Sequence, residues 1–333
     1  MNSKGTDRPE VVAAVKDKLV PPVGFMGRRF YPQIPSRDVT GEIYHKLLTP
    51  DSAAQTRDNE YANIDRVALI EGVKDYKCKE IVKAYHIPES REKAYGGIDA
   101  TDRIGITAAC RSLLRAEEQK AAKLVLSSDR YNAGDVLKDG LVLMGLQVAA
   151  NSIHRYFGKT ILAGSRKFFQ NFVLAKDISK KLSGILGNSF SSQNYIDSLA
   201  GEPNIAIAML RAFLPFDEIL VGDDEFWALP GMEDAGFVAR LPPADWKKDP
   251  EMAEMIMREE PVFGVCPWYF PDPGDPTIEF SARSWFDNNN HTYVYDSVGW
   301  FQQLELNPEA VKIVKFTAEA VATTTTTTTT TLP

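Results

Sequence analysis

The chain has 333 residues, of which 44% are hydrophobic and 25% charged, so it can build an ordinary folded core and is long enough for two domains. Its net charge of −7 argues against a dedicated nucleic-acid-binding protein, and no apolar run approaches the roughly 18 residues that span a bilayer. Cys78, Cys110 and Cys266 are scattered and fit neither a disulfide framework nor a zinc site, so we interpret them as free core thiols in a reducing compartment.

Residues 1–36 are predicted to form an arm that lies on something other than a core of its own. The start, MNSKGTDRPE, is polar and predicts no export signal. Five prolines follow between positions 9 and 35, and because proline blocks long helices and central strands, VVAAVKDKLV is the only helix candidate. Residues 1–40 hold seven bases against four acids, a net of +3, and residues 215–260 hold thirteen acids against four bases, a net of −9. These charges either attract one another between subunits or are simply solvated.

Residues 37–90 are predicted to form a long hairpin that projects from the body. Its strands are Gly41–Leu48 and Val73–Ile87, and the intervening PDSAAQTRDNEYANID has almost no apolar content. Loops this long are uncommon in compact domains unless they bind something. His45 and His86 fall on opposite strands, where a facing pair would suit a metal or pH-sensing role, although we favour a pair without such a role. His154 and His291 lie far away in sequence.

After Gly96 and Gly97 the apolar period becomes helical and predicts one long helix that ends near Ser127. About 25 residues at 1.5 Å each give a rod of roughly 37 Å, which suits the spine of a flat domain. Candidate N-caps are Asp99, Thr101 and Asp102. The predicted apolar face consists of Ile106, Cys110, Leu113, Ala121 and Leu124. Charged side chains are expected on the solvated remainder: Arg111, Arg115, Glu117, Glu118, Lys120 and Lys123.

A small α/β module is predicted next, because helical and strand patterns alternate. A helix over about 137–157 breaks at Gly158, TILAG at 160–164 forms a short buried strand, and Ser165 caps RKFFQNFVL. A second round consists of the helix IAIAMLRAFLPF, the strand EILVG, and EFWALPG capped by Asp223 and Asp224.

From Pro261 onward, aromatic and β-branched residues predict strands that close a sheet against the long helix. The runs are PVFGVCPWYF, TIEFSARSWFDN, HTYVYDSVGWFQQLEL and VKIVKF. Just before them, Met252, Met255 and Ile256 form a helical stripe that we interpret as core rather than as a cofactor site. The nine threonines from Thr323 to Thr331 cannot build a core, so they form a tail or a strand lent to a neighbour.

No catalytic constellation emerges from the sequence. The GKT at 158–160 matches the end of a phosphate-binding loop, but position 153, where that loop needs glycine, is Ile. Asp223, Asp224 and Glu225 follow a strand, where many α/β enzymes bind magnesium. Helix capping is the simpler interpretation, because helix N-termini favour negative groups. We therefore expect no catalytic residue, no metal and no cofactor.

The order of these segments resembles the major capsid protein of tailed bacteriophages, whose fold also builds encapsulin shells. SLLRAEEQKAAKLVL is similar to the family's spine helix, and FGKTILAGSRKFFQNFVLAKDISKKL to the helix, strand and helix of its axial domain. FLPFDEILVGDDEFWALPG looks like a later strand of that domain, and the match in order spans roughly residues 20–316. The resemblance implies an α+β fold with six segments: N-terminal arm 1–36, extended loop 37–90, peripheral domain 91–135, axial domain 136–262, peripheral return strands 263–316 and threonine-rich tail 317–333.

The resemblance also implies a structural protein and not an enzyme. Hexamers and pentamers of the chain would form the icosahedral head shell that encloses phage double-stranded DNA without reading its sequence. Implied partners are other copies of the chain, a portal and a decoration protein, without a membrane. A separate scaffold protein is also implied, because the arm is too short to be a fused scaffold. The chain would assemble in the host cytoplasm and end in the virion. Two alternatives stay open: an encapsulin-like shell that encloses cargo, and a soluble metal-dependent α/β enzyme using Asp223 and Asp224. The threonine tail is no part of the family pattern.

Overall fold

The computed structural model describes residues 6–7, 24–48, 71–186, 193–243, 256–269 and 280–316. Within them the strands are, in chain order, β1 (Thr6–Asp7), β2 (Gln33–Ser36), β3 (Thr40–Lys46), β4 (Glu71–Lys77), β5 (Lys79–Pro88), β6 (Asp135–Leu137), β7 (Lys159–Ser165), β8 (Glu218–Gly222), β9 (Ala235–Leu241), β10 (Gly264–Tyr269), β11 (Ser281–Asp287), β12 (Thr292–Phe301), β13 (Leu304–Glu305) and β14 (Val311–Phe316).

The helices of the same residues are α1 (Gly27–Phe30), α2 (Glu92–Tyr95), α3 (Ile98–Val125), α4 (Ser128–Ala133), α5 (Val142–Ser152), α6 (Arg166–Leu174), α7 (Lys176–Leu186), α8 (Gln193–Gly201), α9 (Pro203–Leu210) and α10 (Asp224–Trp227). Short 3₁₀ turns occupy Glu89–Arg91, Arg211–Phe213 and Pro308–Ala310. No helix of the described residues is both long and apolar enough to cross a membrane.

The chain divides into two compact units, each of which combines a sheet with helices. The first comprises Met1–Lys123, Tyr156–Gly158 and Leu241–Pro308, and the second comprises Leu124–Arg155, Lys159–Arg240 and Glu309–Pro333. Both units are therefore assembled from segments that are distant in sequence.

The first unit is built on a sheet centred on β12. This strand pairs antiparallel with β11 on one edge and with β5 on the other, while β10 pairs with its end and β2 runs parallel beside β10. Helix α3 packs on one face of the sheet at two glycines, because a Cβ at Gly105 would lie 2.1 Å from the Tyr295 ring and a Cβ at Gly299 2.9 Å from Leu113. The predicted sheet against the long helix is thus confirmed for PVFGVCPWYF, TIEFSARSWFDN and HTYVYDSVGWFQQLEL. It is wrong for VKIVKF, because this run forms β14 and pairs with β6 and β9 in the other sheet.

The second unit is built on a five-stranded sheet in the order β6–β14–β9–β7–β8. Its strand β7 is buried over Ile161–Ser165, as expected for a strand covered on both faces. At its end Ser165 Oγ accepts a hydrogen bond from the N–H of Phe168 (3.0 Å) and caps α6, which buries Phe168, Phe169 and Phe172. The predicted strand, its cap and the following helix are confirmed, and EILVG forms the parallel neighbour β8.

Three sequence-based boundaries are wrong. The helix expected over 137–157 is only Val142–Ser152, because residues 135–137 instead pair with β14. The strand expected over Val73–Ile87 is two strands that meet at Cys78 and pair with different partners. The expected caps of the long helix lie inside it, where Thr101 Oγ1 donates to the Gly97 carbonyl (2.8 Å) and Asp102 accepts from the Tyr295 hydroxyl (2.9 Å).

Several predicted features lie outside the described residues. These are the helix VVAAVKDKLV, the polar tip of the hairpin, Met252, Met255 and the threonine tract. Ile256 is described, and it packs partly buried against the hydrophobic cluster at the base of the hairpin.

Candidate assembly surfaces

The hairpin β3–β4 is anchored to the first unit through one face of its base. Asn307 Nδ2 donates to the carbonyl oxygens of Lys46 (3.1 Å) and Val262 (2.8 Å), which ties the end of β3 to the body. Ile43, on the inward face of β3, is buried in a cluster with Met257, Val262, Val265, Leu304 and Leu306. The strands of the predicted hairpin are confirmed. Its base is fixed to the body mainly by apolar contacts, whose strength does not depend on direction.

His45 lies in the same base and is only 2% exposed. Neither ring nitrogen has a hydrogen-bond partner, and Gly72 opposite it is required, because a Cβ there would lie 2.6 Å from the His45 ring. Burial is the main influence on the pKa of His45 and lowers it. The nearby Ile43 and Leu306 backbone groups oppose this effect in part, and the Lys74 charge reinforces it. The hairpin base is therefore packed around a neutral histidine.

The predicted facing pair of His45 and His86 is wrong. His45 lies opposite Gly72 in the hairpin, whereas His86 lies opposite Val294 in the large sheet, because β4 and β5 pair with different strands. His154 Nδ1 lies 2.6 Å from the Asn151 carbonyl, and His291 Nδ1 lies 3.3 Å from Glu89 Oε2. Within the described ranges, no three His, Cys, Asp or Glu side chains come together as a metal site would require.

Two adjacent acids of α3 bind the segment that leads into β2. Glu118 accepts hydrogen bonds from the backbone N–H of Met26 (2.5 Å) and of Gly27 (2.9 Å). Glu117 Oε2 accepts from Nε (3.1 Å) and Nη2 (2.9 Å) of Arg28, which is a bidentate ion pair. We call this set of contacts the carboxylate clamp. It fixes the chain at 26–28 to the long helix.

The carboxylate clamp is the largest departure from the sequence analysis of α3. Glu117 and Glu118 were expected on the solvated side, but they are 3% and 2% exposed. Burial of a carboxylate is tolerated only when charged or hydrogen-bonding partners satisfy it, and residues 26–28 supply those partners. Conversely, Leu124 was expected on the buried face and is 40% exposed, while Ile106, Cys110, Leu113 and Ala121 are fully buried as predicted.

Residues 24–36 pack on the first unit of their own chain. Phe30 and Tyr31 are fully buried, and both rings contact Phe263, at centroid distances of 6.1 and 5.4 Å. The N–H of Cys266 donates to the Pro32 carbonyl (2.8 Å) as β2 begins its parallel pairing with β10. The expectation that residues 1–36 form an arm without a core of its own is therefore wrong for residues 24–36, which belong to the core and sheet of their own molecule.

The acids after β8 serve the helix termini of the second unit. Asp223 Oδ1 accepts from the N–H of Glu225 (3.0 Å) and caps α10, and Asp224 Oδ1 accepts from the N–H of Lys167 (3.1 Å) in the first turn of α6. The capping interpretation is confirmed for Asp223, and Asp224 binds a second helix start. Both carboxylates are used in local structure.

The remaining candidate residues are structural as well. Cys78, Cys110 and Cys266 are buried free thiols, as predicted. Burial raises the pKa of Cys78 and of Cys110 to about 11 and that of Cys266 well above the ordinary value, so the thiolate needed for reactivity is suppressed. Gly158 of the GKT sequence has a φ of 116° and approaches the Leu241 carbonyl so closely that a Cβ would lie 2.1 Å from its oxygen. The glycine is needed for this backbone contact.

Comparisons with known proteins give a consistent answer at the level of the fold. No protein-family model matches the sequence. No curated protein matches it either. Among solved structures, a phage-related protein from Bordetella bronchiseptica RB50 matches with a TM-score of 0.62 at 16% identity, covering 94% of this chain and 98% of that chain.

Two further structures come from phages or prophages. A structure from Microbacterium phage Oxtober96 matches with a TM-score of 0.52 at 9% identity, covering 92% of this chain and 99% of that chain. The putative capsid protein of a prophage of E. coli CFT073 reaches a TM-score of 0.49 at 10% identity over 95% of this chain and 100% of that chain, which is a weaker likeness. At sequence identities this low, the structural likeness shows a shared fold but not a shared function. The predicted α+β fold is confirmed, and it extends over nearly the whole length of the phage-related protein and the Microbacterium phage chain.

Proposed function

We propose that this chain is the major capsid protein of a tailed bacteriophage, which assembles into hexamers and pentamers of an icosahedral head around double-stranded DNA. The observation that carries the proposal is the fold match at a TM-score of 0.62 over 94% of this chain, to a protein described as phage-related. The capping and packing roles of the candidate acids and thiols support a structural protein over an enzyme.

Within this proposal a shell subunit has two domains. Residues 91–135 and 263–316 would form the peripheral domain and residues 136–262 the axial domain, whereas residues 124–135 and 309–316 lie in the second compact unit and residues 241–262 in the first. Residues 1–36 would be the arm, whose end joins the sheet through β2, 37–90 the extended loop, whose strand β5 returns to the large sheet, and 317–333 a tail. The anchored hairpin base supports the role of the extended loop, because a base fixed by Ile43 and Asn307 can hold a long polar tip against an adjacent copy.

The partners follow from the same proposal. Most contacts would be made with other copies of the chain. Each copy would bind its neighbours through several interfaces of modest area, arranged head to tail so that they close into a ring. A portal, a separate scaffold protein and a decoration protein are further expected partners, with assembly in the host cytoplasm and a final place in the virion. DNA is enclosed without sequence-specific binding, which is consistent with a net charge of −7.

The proposal is tested by the size of the purified full-length protein. Negative-stain electron microscopy and light scattering should show shells, capsomers or tubes, since any of these ordered assemblies requires the proposed contacts. A stable monomer of 37.0 kDa at high concentration would contradict it. Particles from the native source distinguish the two shell functions, because genomic DNA inside supports the phage head and protein cargo inside supports the encapsulin-like alternative.

A further inference from the structure

Strand β5 is hydrogen-bonded along one edge only. The backbone groups of odd-numbered residues in β5 point toward β12. Two hydrogen bonds that flank the paired strands show this direction: before β5 the N–H of Lys77 donates to Gln302 Oε1 (2.6 Å), and after it the N–H of Glu89 donates to the His291 carbonyl (2.9 Å). Between them, all ten residues of β5 have a register partner in β12. Even-numbered positions therefore face the opposite edge, since backbone groups alternate along a strand.

The opposite edge is occupied only at its beginning. The N–H of Cys78 donates to the Val39 carbonyl (2.7 Å), which continues the pairing of β4 with β3. Beyond that point the outward backbone groups belong to Glu80, Val82, Ala84 and His86, and no backbone group of the described residues bonds to them. The free edge of β5 starts where β3 ends and extends along the rest of the strand.

The free edge of β5 is exposed in the structure of the single chain. All four outward residues are solvent-exposed, and Val82 is 45% exposed. A strand edge of this length is a template for another strand, and proteins usually shorten or cover such edges. Lys79, Lys83 and Pro88 give partial protection against arbitrary pairing, and Pro88 has no N–H to offer. The edge therefore disfavours a partner strand with basic side chains, because like charges on paired strands repel.

The threonine tract fits this requirement. Residues 323–331 are nine consecutive β-branched residues, which favour the extended conformation, and β5 has ten residues. Nine residues at about 3.3 Å each span roughly 30 Å, close to the length of the edge. Threonine adds no charge beside the lysines of β5, and its side chains need no core of their own. The tract is one of few uncharged stretches of this length in the chain.

We propose that the threonine tract of one copy adds as a strand to the free edge of β5 in a second copy. This inference rests on the proposed function, because it requires copies that lie side by side in an assembly. We take a second copy as the donor, since the described residues of one chain leave this edge open. Strand addition supplies affinity through main-chain hydrogen bonds, so a run of identical residues is sufficient for it.

Disulfide trapping tests the contact directly in the full-length assembled protein. The pair Ala84→Cys and Thr327→Cys places one thiol on the free edge and one in the tract, while the native thiols are buried. Mild oxidation should give covalent dimers and larger species on a denaturing gel. The control pair Asn289→Cys and Thr327→Cys places the first thiol in the exposed turn between β11 and β12 and should remain monomeric.

The outcomes separate this inference from the proposed function. Particles that assemble but give no dimers, or only an internally crosslinked monomer, overturn strand exchange and leave the capsid proposal intact. Equal crosslinking in the control pair also overturns it, because the tract would then contact any exposed surface. A chain that neither assembles nor crosslinks removes both proposals.

A second measurement uses the assembly equilibrium. Ala84→Pro removes one outward N–H, which an edge strand tolerates, and Ala84→Ser is its matched control. A chain that ends at Ala322 should raise the protein concentration needed for assembly by about tenfold or more, as expected for the loss of a few net hydrogen bonds, and the proline variant should raise it by a smaller factor. In the truncated chain Ala84→Pro should have no further effect, because the contact that it weakens is already absent. Additive effects, or a truncated chain that assembles like the full-length one, would refute the proposal.

Discussion

Two segments within the first unit are held in different ways. The segment 26–28 is held by the carboxylate clamp, in which buried charges make short, directional hydrogen bonds. The hairpin base is held mainly by the apolar cluster around Ile43 and the buried, neutral His45, with the two hydrogen bonds of Asn307 at the end of β3. Directional charged bonds define one position, whereas apolar packing permits small adjustments of angle. In the proposed shell, a hairpin that contacts different neighbours in hexamers and pentamers would benefit from the second kind of attachment.

The largest expected effect comes from breaking the carboxylate clamp. Glu118→Ala leaves the N–H groups of Met26 and Gly27 buried without an acceptor, and we expect a loss of about 3 kcal/mol in the free energy of unfolding. Glu118→Gln keeps an acceptor of the same shape and should lose clearly less. Urea unfolding of the two variants, measured under conditions that keep the chain unassembled, provides the comparison. Equal losses would mean that neither the shape of the side chain nor a neutral acceptor is sufficient, and that the negative charge of Glu118 holds the segment.

The next effect comes from the hairpin base. Ile43→Ala removes buried methyl and methylene groups from the cluster, at a cost of about 2 kcal/mol in local stability. Because the base can open without unfolding the sheet, we expect faster proteolysis of the hairpin and a smaller change in global unfolding. Val73→Ala is the matched control, since Val73 lies on β4 and is 50% exposed. A large global loss with unchanged proteolysis would show that the hairpin and the body unfold as one.

The contrast between these regions also shows what sequence patterns can and cannot reveal. Ser165 and Asp223 were identified correctly as caps because a cap depends on residues two or three positions away. The burial of Glu118 depends on Gly27, 91 positions away, and a helical period carries no sign of such a partner. The sequence also gives no sign that the strand changes its partner at Cys78. The alternation of side chains continues through this residue, although the chain before it pairs with β3 and the chain after it pairs with β12 on the opposite edge.

The hairpin base should respond to acid. The pKa of buried His45 is lowered from 6.5, chiefly by desolvation, so the folded base favours the neutral ring. That contribution is fully present above pH 6.5 and is lost as the pH falls, because the opened base binds a proton more readily. Of the charged groups near the ring, Lys74 opposes protonation as well.

Proteolysis of the hairpin between pH 7.5 and 5.5 measures this effect. The rate should rise as the pH falls in the native chain and stay nearly level in His45→Phe, which keeps an aromatic ring but cannot be protonated. His86→Phe, at an exposed position, should keep the native pH dependence. If His45→Phe retains that dependence, another group controls the base, and the role assigned to His45 is wrong.

The smallest expected effect on stability belongs to the tip of the hairpin. Deletion of residues 50–65 removes a stretch that the sequence shows to be almost entirely polar, whereas the contacts among the described residues that hold the base come from outside it. The free energy of unfolding of the unassembled chain should therefore change by no more than about 0.5 kcal/mol. Assembly should nevertheless be impaired, because the proposed function assigns this tip to contacts with an adjacent copy. Circular dichroism and electron microscopy of the same preparation separate the two effects. If the deletion unfolds the chain, the tip belongs to the core of its own molecule, and the division between an anchored base and a partner-binding tip fails.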